Sequence, residues 1–344
     1  MATNVTFTVA KVIEDDWLLI AGSPDGDEPY TPFTRWFQYI EGDAEPWTSH
    51  ETKWWARSAT TYFWPGVDTP GVDTPGVDTP GVDTPGDWAL VGMSHEGHVE
   101  FSFAETIVEE KIPGAGVFVP DAGGWGYVSS IRQIGRFLFV CGAGGQVYKR
   151  LASNSWQHMD DGLLQALPID QRLLLSDMGG PDEGDIYVCG SYPGPAGIEG
   201  RLFHFDGRTW SRLRIPEMGH LNCILIESPD SVWVCGHNGA LLNGNARDGF
   251  RDVSSVEHDP LFYSMALFGG NLYLGSHLGL YSYKLNDAHA KIDEVVTGLT
   301  PPVSDAVTVD SVGKVLWSVG EKDIVRFDGS SWGRIDHPDN ASTR

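Results

Sequence analysis

Short runs of aromatic and β-branched residues, each ending near a glycine, recur along the whole chain. The seven glycines that mark them are spaced 70, 50, 48, 46, 39 and 45 residues apart: Gly22, Gly92, Gly142, Gly190, Gly236, Gly275 and Gly320. The first interval contains four identical Gly-Val-Asp-Thr-Pro copies at 66–85, and without these 20 residues it shortens to 50. A strand-rich unit that repeats at this period is typical of a β-propeller.

Each repeat holds four short apolar segments, which we interpret as the four strands of one blade. In the last repeat they are Ser304–Val309, Lys314–Val319, Asp323–Phe327 and Ser331–Ile335. Asp328-Gly329 indicates a tight hairpin between the last two, since both turn positions favour positive φ. No stretch shows a useful helical period. We therefore predict an all-β fold: a single seven-bladed β-propeller of four-stranded antiparallel blades, one domain over residues 1–344.

The ends of the chain decide how the ring closes. We predict that Thr6–Val12 is the inner strand of the first blade, so that complete first and last blades meet side by side. The alternative is that this segment completes the last blade, with the strand register shifted by one. We favour the first arrangement.

The GVDTP copies form a low-complexity insertion loop at 65–86. Pro-Gly pairs favour type II turns, so we predict a chain of turns that projects from the second blade. A long surface insertion costs little closure entropy, and we favour a tolerated expansion. The alternative is a calcium ladder or partner-binding arm that uses its evenly spaced carboxylates, Asp68, Asp73, Asp78 and Asp83.

The chain is strongly acidic, with 23 Lys+Arg against 47 Asp+Glu and a net charge of −24. This balance argues against a nucleic-acid partner, whose phosphates require a basic surface. Residues 1–110 carry 20 acidic and 4 basic side chains, and they also hold several Trp residues. Acids beside aromatics are typical of an interface for a basic protein. The predicted partner-binding residues are Asp25, Asp27, Glu28, Trp36, Glu41, Asp43, Glu45, Trp47, Trp54 and Trp55, with Tyr192 in the inserted loop Ser191–Gly200 of the fourth blade.

Three of the four cysteines, Cys141, Cys189 and Cys235, occupy the same place in the repeated strand, and Cys223 is the fourth. We interpret all four as reduced core residues. The N-terminus lacks the basic and apolar regions of a signal peptide, and no apolar run approaches the length of a membrane span. We predict a cytoplasmic monomer without membrane contact.

The segment Leu202-Phe203-His204-Phe205-Asp206-Gly207, with Trp210 and a later Val232-Trp233-Val234-Cys235-Gly236, carries a resemblance. It resembles the propeller repeats of two-component regulators and, more broadly, the WD40/YVTN-like superfamily. The resemblance implies the propeller fold but no particular function, because such propellers include scaffolds, sensors, lectins, lyases and inhibitors. The chain lacks the repeated Trp-Asp dipeptide of true WD40 repeats.

No nucleophile elbow, zinc-protease, phosphate-loop or dinucleotide motif occurs in the chain. His95, His237 and His277 occupy the equivalent turn of three repeats, between the second and third strands. The turn lies on the face where propellers that resemble this one, the streptogramin lyases, place catalytic histidines. An enzyme using His237 and His277 is thus one alternative, and a carbohydrate-binding propeller is another. We favour a non-catalytic protein-binding propeller without metal or cofactor, such as an immunity protein that neutralises a basic toxin.

Overall fold

The computed structural model describes residues 4–26, 32–63, 88–103, 106–165, 167–195, 197–256 and 258–340. The insertion at 65–86 and the predicted contact residues Asp27 and Glu28 lie outside these ranges. The described strands form seven antiparallel sheets of four strands each. The all-β propeller prediction is confirmed.

Each sheet is one blade, built from four consecutive strands. The first three blades are β1 Val5–Glu14, β2 Trp17–Pro24, β3 Thr34–Ile40 and β4 Trp47–Thr52; β5 Ala56–Phe63, β6 Trp88–Ser94, β7 His98–Ser102 and β8 Ile107–Lys111; and β9 Val128–Ile134, β10 Phe137–Gly142, β11 Val147–Ala152 and β12 Ser155–His158. The fourth blade is β13 Leu174–Asp182, β14 Asp185–Gly194, β15 Gly197–Phe205 and β16 Trp210–Arg212, preceded by a short 3₁₀ helix, Ile169–Gln171. The last three blades are β17 Leu221–Ser228, β18 Ser231–Gly236, β19 Leu241–Asn245 and β20 Gly249–Asp252; β21 Phe262–Phe268, β22 Asn271–Ser276, β23 Gly279–Lys284 and β24 Ile292–Glu294; and β25 Thr308–Val312, β26 Val315–Val319, β27 Ile324–Phe327 and β28 Trp332–Arg334.

Three of the repeated glycines make room for the chain that enters their own blade. A Cβ on Gly142 would lie 2.5 Å from the Tyr127 carbonyl oxygen. A Cβ on Gly190 would lie 1.8 Å from the Leu174 carbonyl oxygen, and one on Gly236 would lie 2.1 Å from that of His220. Each of these carbonyls lies at the entry to the inner strand of the same blade. In these three blades, the repeated glycine therefore leaves the space that the entering backbone needs.

Blades one and seven close the ring side by side, which confirms the favoured arrangement. β1 pairs with β2 in the first blade, and β25–β28 make a complete last blade. The Phe7 backbone N–H donates to the Glu321 carbonyl at 2.8 Å, and the Val5 N–H donates to Asn340 Oδ1 at 2.8 Å. The C-terminal segment after β28 thus fastens the first blade with side chains, without a shared strand.

Polar side chains on the inner strands link neighbouring blades. Asp177 on β13 accepts from Ser130 Oγ of the third blade at 2.6 Å and from the Ile224 N–H of the fifth at 3.0 Å. Ser264 Oγ accepts from the Val309 N–H in the same way, at 2.8 Å. These bonds satisfy buried backbone donors between sheets and fix how the inner strands align.

Two local expectations were wrong in detail. The inner strand of the last blade begins at Thr308 instead of Ser304. Asp328 and Gly329 lie in a four-residue connection, because Phe327 pairs with Trp332, and only the glycine has positive φ, at 92°. Bonds from the Ser330 hydroxyl and from the Ser330 and Ser331 N–H groups lower the pKa of the Asp328 carboxyl. The aspartate therefore caps the loop as an acceptor and does not supply a left-handed residue.

The cysteine prediction is confirmed, since all four thiols are free and buried. Within the described residues, no helix is long and apolar enough to cross a membrane.

Candidate protein-binding face

The turns between second and third strands lie on the same face of the ring as the linkers between blades, because strands alternate in direction. We call this the linker face. It carries nine of the 13 large apolar side chains that are exposed in the described structure. These nine are Trp55, Val117, Phe118, Tyr127, Leu174, Ile198, Tyr263, Leu278 and Val296. Apolar exposure concentrated on one face marks it as the candidate interaction surface.

Four rings on the linker face form a continuous aromatic patch, which we define as Trp55, His95, Phe118 and Tyr127. The rings of Trp55 and His95 stack with centroids 5.6 Å apart and 19° between planes. His95 meets Tyr127 edge to face at 4.6 Å, and Tyr127 meets Phe118 at 6.4 Å. Large rings already packed against each other bury apolar area on binding with little loss of side-chain entropy.

Phe118 is 83% exposed, although the loop that carries it is held by several hydrogen bonds. The Glu96 carboxylate accepts the backbone N–H of Val117 at 2.7 Å and that of Phe118 at 3.2 Å. At the start of the loop, Lys111 Nζ donates to the carbonyls of Ile112 and Ala115 at 2.7 and 3.0 Å. A large exposed ring on a fixed backbone is the arrangement expected of an interface anchor.

The two titratable rings of the aromatic patch, His95 and Tyr127, are uncharged near neutral pH. Burial lowers the pKa of the His95 imidazole, and the nearby Glu96 carboxylate only partly opposes this. Burial, with a further contribution from Glu96, raises the pKa of the Tyr127 hydroxyl. Both rings are therefore neutral in the physiological range, and desolvating them in a complex carries no penalty for burying a charge.

The predicted acidic contact residues divide between the two faces. Asp25 follows β2 on the linker face and is already paired with Lys322 Nζ at 2.5 Å, which lowers the pKa of its carboxyl. Glu41, Asp43 and Glu45 are exposed between β3 and β4, on the opposite face. Glu41 lies 3.4 Å from Arg326 Nη2. Glu41, Asp43 and Glu45 therefore cannot meet the same flat partner surface as the aromatic patch.

Trp36 and Trp54 are not available to a partner, so their interpretation as contact residues is not supported. They are 2% and 8% exposed, with ring centroids 6.1 Å apart, and they pack together between the first and second blades. A Cβ on Gly92 would lie 2.4 Å from Trp36 Cζ2, so the absent side chain makes room for the indole. Trp47 is half-buried and donates from Nε1 to the Asp336 carbonyl at 3.2 Å. Trp55 is the predicted tryptophan that the fold leaves exposed on the linker face.

Tyr192 lies within a β-strand and not in the inserted loop predicted from the sequence. Strands β14 and β15 pair along their whole length as one long β-hairpin, in which Tyr192 pairs with Glu199 and the last pair is Gly194 with Gly197. The Tyr192 ring packs against the apolar core between the third and fourth blades and lies under the Arg201 guanidinium, 5.4 Å from its carbon. The ring therefore supports the hairpin.

His237 and His277, the two histidines of the enzyme alternative, contact different groups and do not contact each other in a shared site. His277 Nδ1 accepts from the Leu261 N–H at 3.2 Å, while the His237 ring lies 5.0 Å from that of His220. His220 is bonded to Ser176 Oγ through Nε2 at 2.8 Å and to Ser191 Oγ through Nδ1 at 2.6 Å. Burial lowers the pKa of His220 to about 4, which makes it a weak base at neutral pH. Sequence reasoning missed this group because Ser176 is 44 residues away along the chain.

The described residues include no group of three His, Cys, Asp or Glu side chains placed to hold a metal ion. A carbohydrate-binding propeller would need equivalent aromatic pockets in several blades, but the repeated tryptophans Trp156 and Trp210 are wedged between blades. Trp156 Nε1 donates to Glu110 at 2.9 Å and Trp210 Nε1 donates to the Met159 carbonyl at 2.6 Å, each in the preceding blade. Their indoles are thus used in packing and not in repeated sugar pockets.

Comparison with known proteins identifies the family. The immune protein Tsi7 of Pseudomonas aeruginosa strain PAO1 is 30% identical over 230 residues, which span 67% of this chain and 70% of that protein. The chain belongs to the Tsi7 family. No family model matches it. The WD40 β-propeller domain of Doa1 superposes with a TM-score of 0.56 over 99% of this chain and 97% of that one, at 12% identity. This structural likeness confirms the propeller fold, and the sequence relationship supports the immunity-protein interpretation at the level of the family.

Proposed function

We propose that the protein is a non-catalytic immunity protein that binds a toxin protein through the aromatic patch on its linker face. The observation that carries the proposal is Phe118, which is 83% exposed and held in place by the Glu96 carboxylate. Membership of the Tsi7 family supports the same function. Four buried free thiols are consistent with action in the cytoplasm. We infer that one closed ring acts as a monomer, since ring closure protects its sheet edges.

The proposed contact combines apolar anchors with a long-range field. Trp55 and Phe118 would enter apolar pockets of the toxin, where full desolvation gives aromatic rings most of their binding energy. The exposed acids on the opposite face, Glu41, Asp43 and Glu45, would act at a distance. The net charge of −24 attracts a basic toxin and orients its approach.

Phe118→Ala and Trp55→Ala are the variants that test this site. The toxin is first captured on the full chain from the native host and identified, and purified variants are then titrated against it by calorimetry. We expect each substitution to raise Kd about tenfold or more, and the double variant about a hundredfold. Protection of cells that co-express the toxin should fall in the same order.

Ile107→Ala is the matched control, because Ile107 is 50% exposed but lies at the opposite end of the second blade. This variant should bind as tightly as the native chain, and all variants should keep the same melting temperature. Equal Kd values for native, Trp55→Ala and Phe118→Ala proteins would place the contact elsewhere. A captured partner that is a substrate consumed by the propeller would refute the non-catalytic function.

The charge contribution predicts how binding responds to salt. We expect the association rate constant to fall about tenfold between low and physiological ionic strength, while the dissociation rate constant changes little. Stopped-flow mixing of the purified pair measures both. An association rate that is independent of salt would show that the acidic surface does not guide the toxin.

A further inference from the structure

A short segment of the fourth blade reverses the charge of the rest of the molecule. Residues 201–216 contain four Arg and one Asp, so their net charge is 4 − 1 = +3 in a chain of net charge −24. The arginines are Arg201, Arg208, Arg212 and Arg214. Three of them, all but Arg208, line a single groove.

The groove lies at the rim of the linker face, between the long hairpin of the fourth blade and the Asn238 turn of the fifth. Its volume is about 920 Å³, in the range of pockets that bind small ligands and short peptide segments. Leu213–Gly219, the linker into the fifth blade, forms its floor. The Gly200 N–H donates to the Met218 carbonyl at 2.7 Å, which ties this floor to the hairpin.

The three arginines of the groove differ in how they are held. Arg201 is bonded to the Glu199 carboxylate and stacks on Tyr192, so its charge is compensated and its position is fixed. Arg212 and Arg214 are exposed, and neither has an ion-pair partner in the part of the chain that the structure describes. Glu217 is the remaining carboxylate of the lining. Two guanidinium groups are therefore free to pair with carboxylates from another molecule.

Apolar side chains lie beside these charges. Ile198 is 56% exposed at the hairpin end, and Ile215 and Met218 are half-buried along the floor. A free inorganic anion would use the guanidinium groups and leave this apolar surface in water. A polypeptide with acidic and aliphatic side chains would cover both, which is why the lining favours a peptide.

We propose that this groove binds an acidic, aliphatic-containing segment of a partner protein, with its carboxylates on Arg212 and Arg214. The site is separate from the aromatic patch, and its occupant has the opposite charge to the toxin surface proposed above. The inference therefore does not depend on the toxin contact.

The test selects peptides from a random displayed library on the immobilised full chain. We expect the selected sequences to be enriched in Asp and Glu together with Leu, Ile or Val. Synthetic copies are then titrated against the native chain, the double variant Arg212→Glu/Arg214→Glu, and the matched control Arg208→Glu/Arg251→Glu. Both double variants change the net charge equally, but Arg208 and Arg251 lie outside the groove.

The expected result is a rise in Kd of about tenfold or more for Arg212→Glu/Arg214→Glu and little change for the control. Phe118→Ala should bind the peptides as the native chain does. Three results would overturn the proposal: selection without acidic enrichment, equal losses in both double variants, or displacement of the peptide by inorganic phosphate or a short oligonucleotide at comparable concentration. Circular dichroism and melting curves establish that each variant is folded.

Discussion

Replacing Arg150 with Met is expected to lower the free energy of unfolding by about 3–5 kcal/mol. The Arg150 and Glu110 side chains are both fully buried between the second and third blades, with Arg150 Nη2 2.7 Å from Glu110 Oε1. Removing the guanidinium would leave the Glu110 carboxylate buried without its counter-charge. The cost of that unpaired charge exceeds what the lost contact itself contributes.

Neighbouring groups explain why the pair tolerates burial. Trp156 Nε1 donates to Glu110 Oε2 at 2.9 Å, and Arg150 Nη1 donates to the Tyr62 hydroxyl at 3.4 Å. The guanidinium carbon also lies 4.8 Å from the centre of the Phe101 ring. The ion pair is thus one part of a hydrogen-bonded cluster that joins strands of two blades.

Urea denaturation measures this prediction, with Glu110→Gln and the double variant Arg150→Met/Glu110→Gln completing a cycle. Glu110→Gln keeps the shape of the side chain, and the double variant should be more stable than the sum of the single losses predicts. Full recovery is not expected, because the Trp156 indole loses its charged acceptor. Single losses below about 1 kcal/mol would show that the cluster is solvated or rearranges readily.

Acidification should destabilise the propeller through His337. The free energy of unfolding should fall by about 3 kcal/mol between pH 6.5, the ordinary histidine pKa, and pH 4. The imidazole is 5% exposed and lies between the rings of Phe37 and Trp47, with centroids 4.4 and 4.5 Å away. Burial lowers its pKa to about 4; Asp339 opposes this and Arg35 reinforces it. The unfolded chain binds a proton at a higher pH than the folded one, so stability falls as the pH is lowered through this range.

His337→Phe isolates this contribution, because it keeps an aromatic ring and removes the titrating group. The difference in unfolding free energy between native and variant proteins should change by about 3 kcal/mol across the same pH range. Taking the difference also cancels the contribution of His220, whose pKa is likewise lowered to about 4. Parallel pH profiles for the two proteins would contradict the prediction.

The sequence predicted the ring because a buried strand that ends in a glycine recurs along the chain, and in three blades that glycine also meets a steric requirement. Gly142, Gly190 and Gly236 each admit an entering carbonyl, and the strand before each of them is buried on both faces. Such positions leave a periodic signal that a single sequence retains. The position of Thr6–Val12 followed from counting four strands in each repeat: the last repeat already has four, so this segment belongs to the first blade.

The site was less predictable, because exposure depends on contacts between blades. Trp54 and Trp55 are adjacent in sequence, yet the first is 8% exposed and the second 36%. Phe118 lies in a linker with no repeat, and its presentation depends on Glu96, 22 residues earlier. Neither relation has a local sequence signal. A Pro/Gly-rich stretch around Tyr192 also suggested a loop where cross-strand pairing extends a hairpin.

Every blade of the ring uses four strands from one uninterrupted stretch of chain, including the blades that meet at the closure. A nascent chain can therefore complete each sheet as soon as its own segment has left the ribosome, with no strand waiting for a distant partner. Closing the circle then requires only that two finished sheets dock and that the segment after β28 reaches Val5. Folding during synthesis therefore does not include a slow step in which strands from the two ends of the chain must find each other and pair.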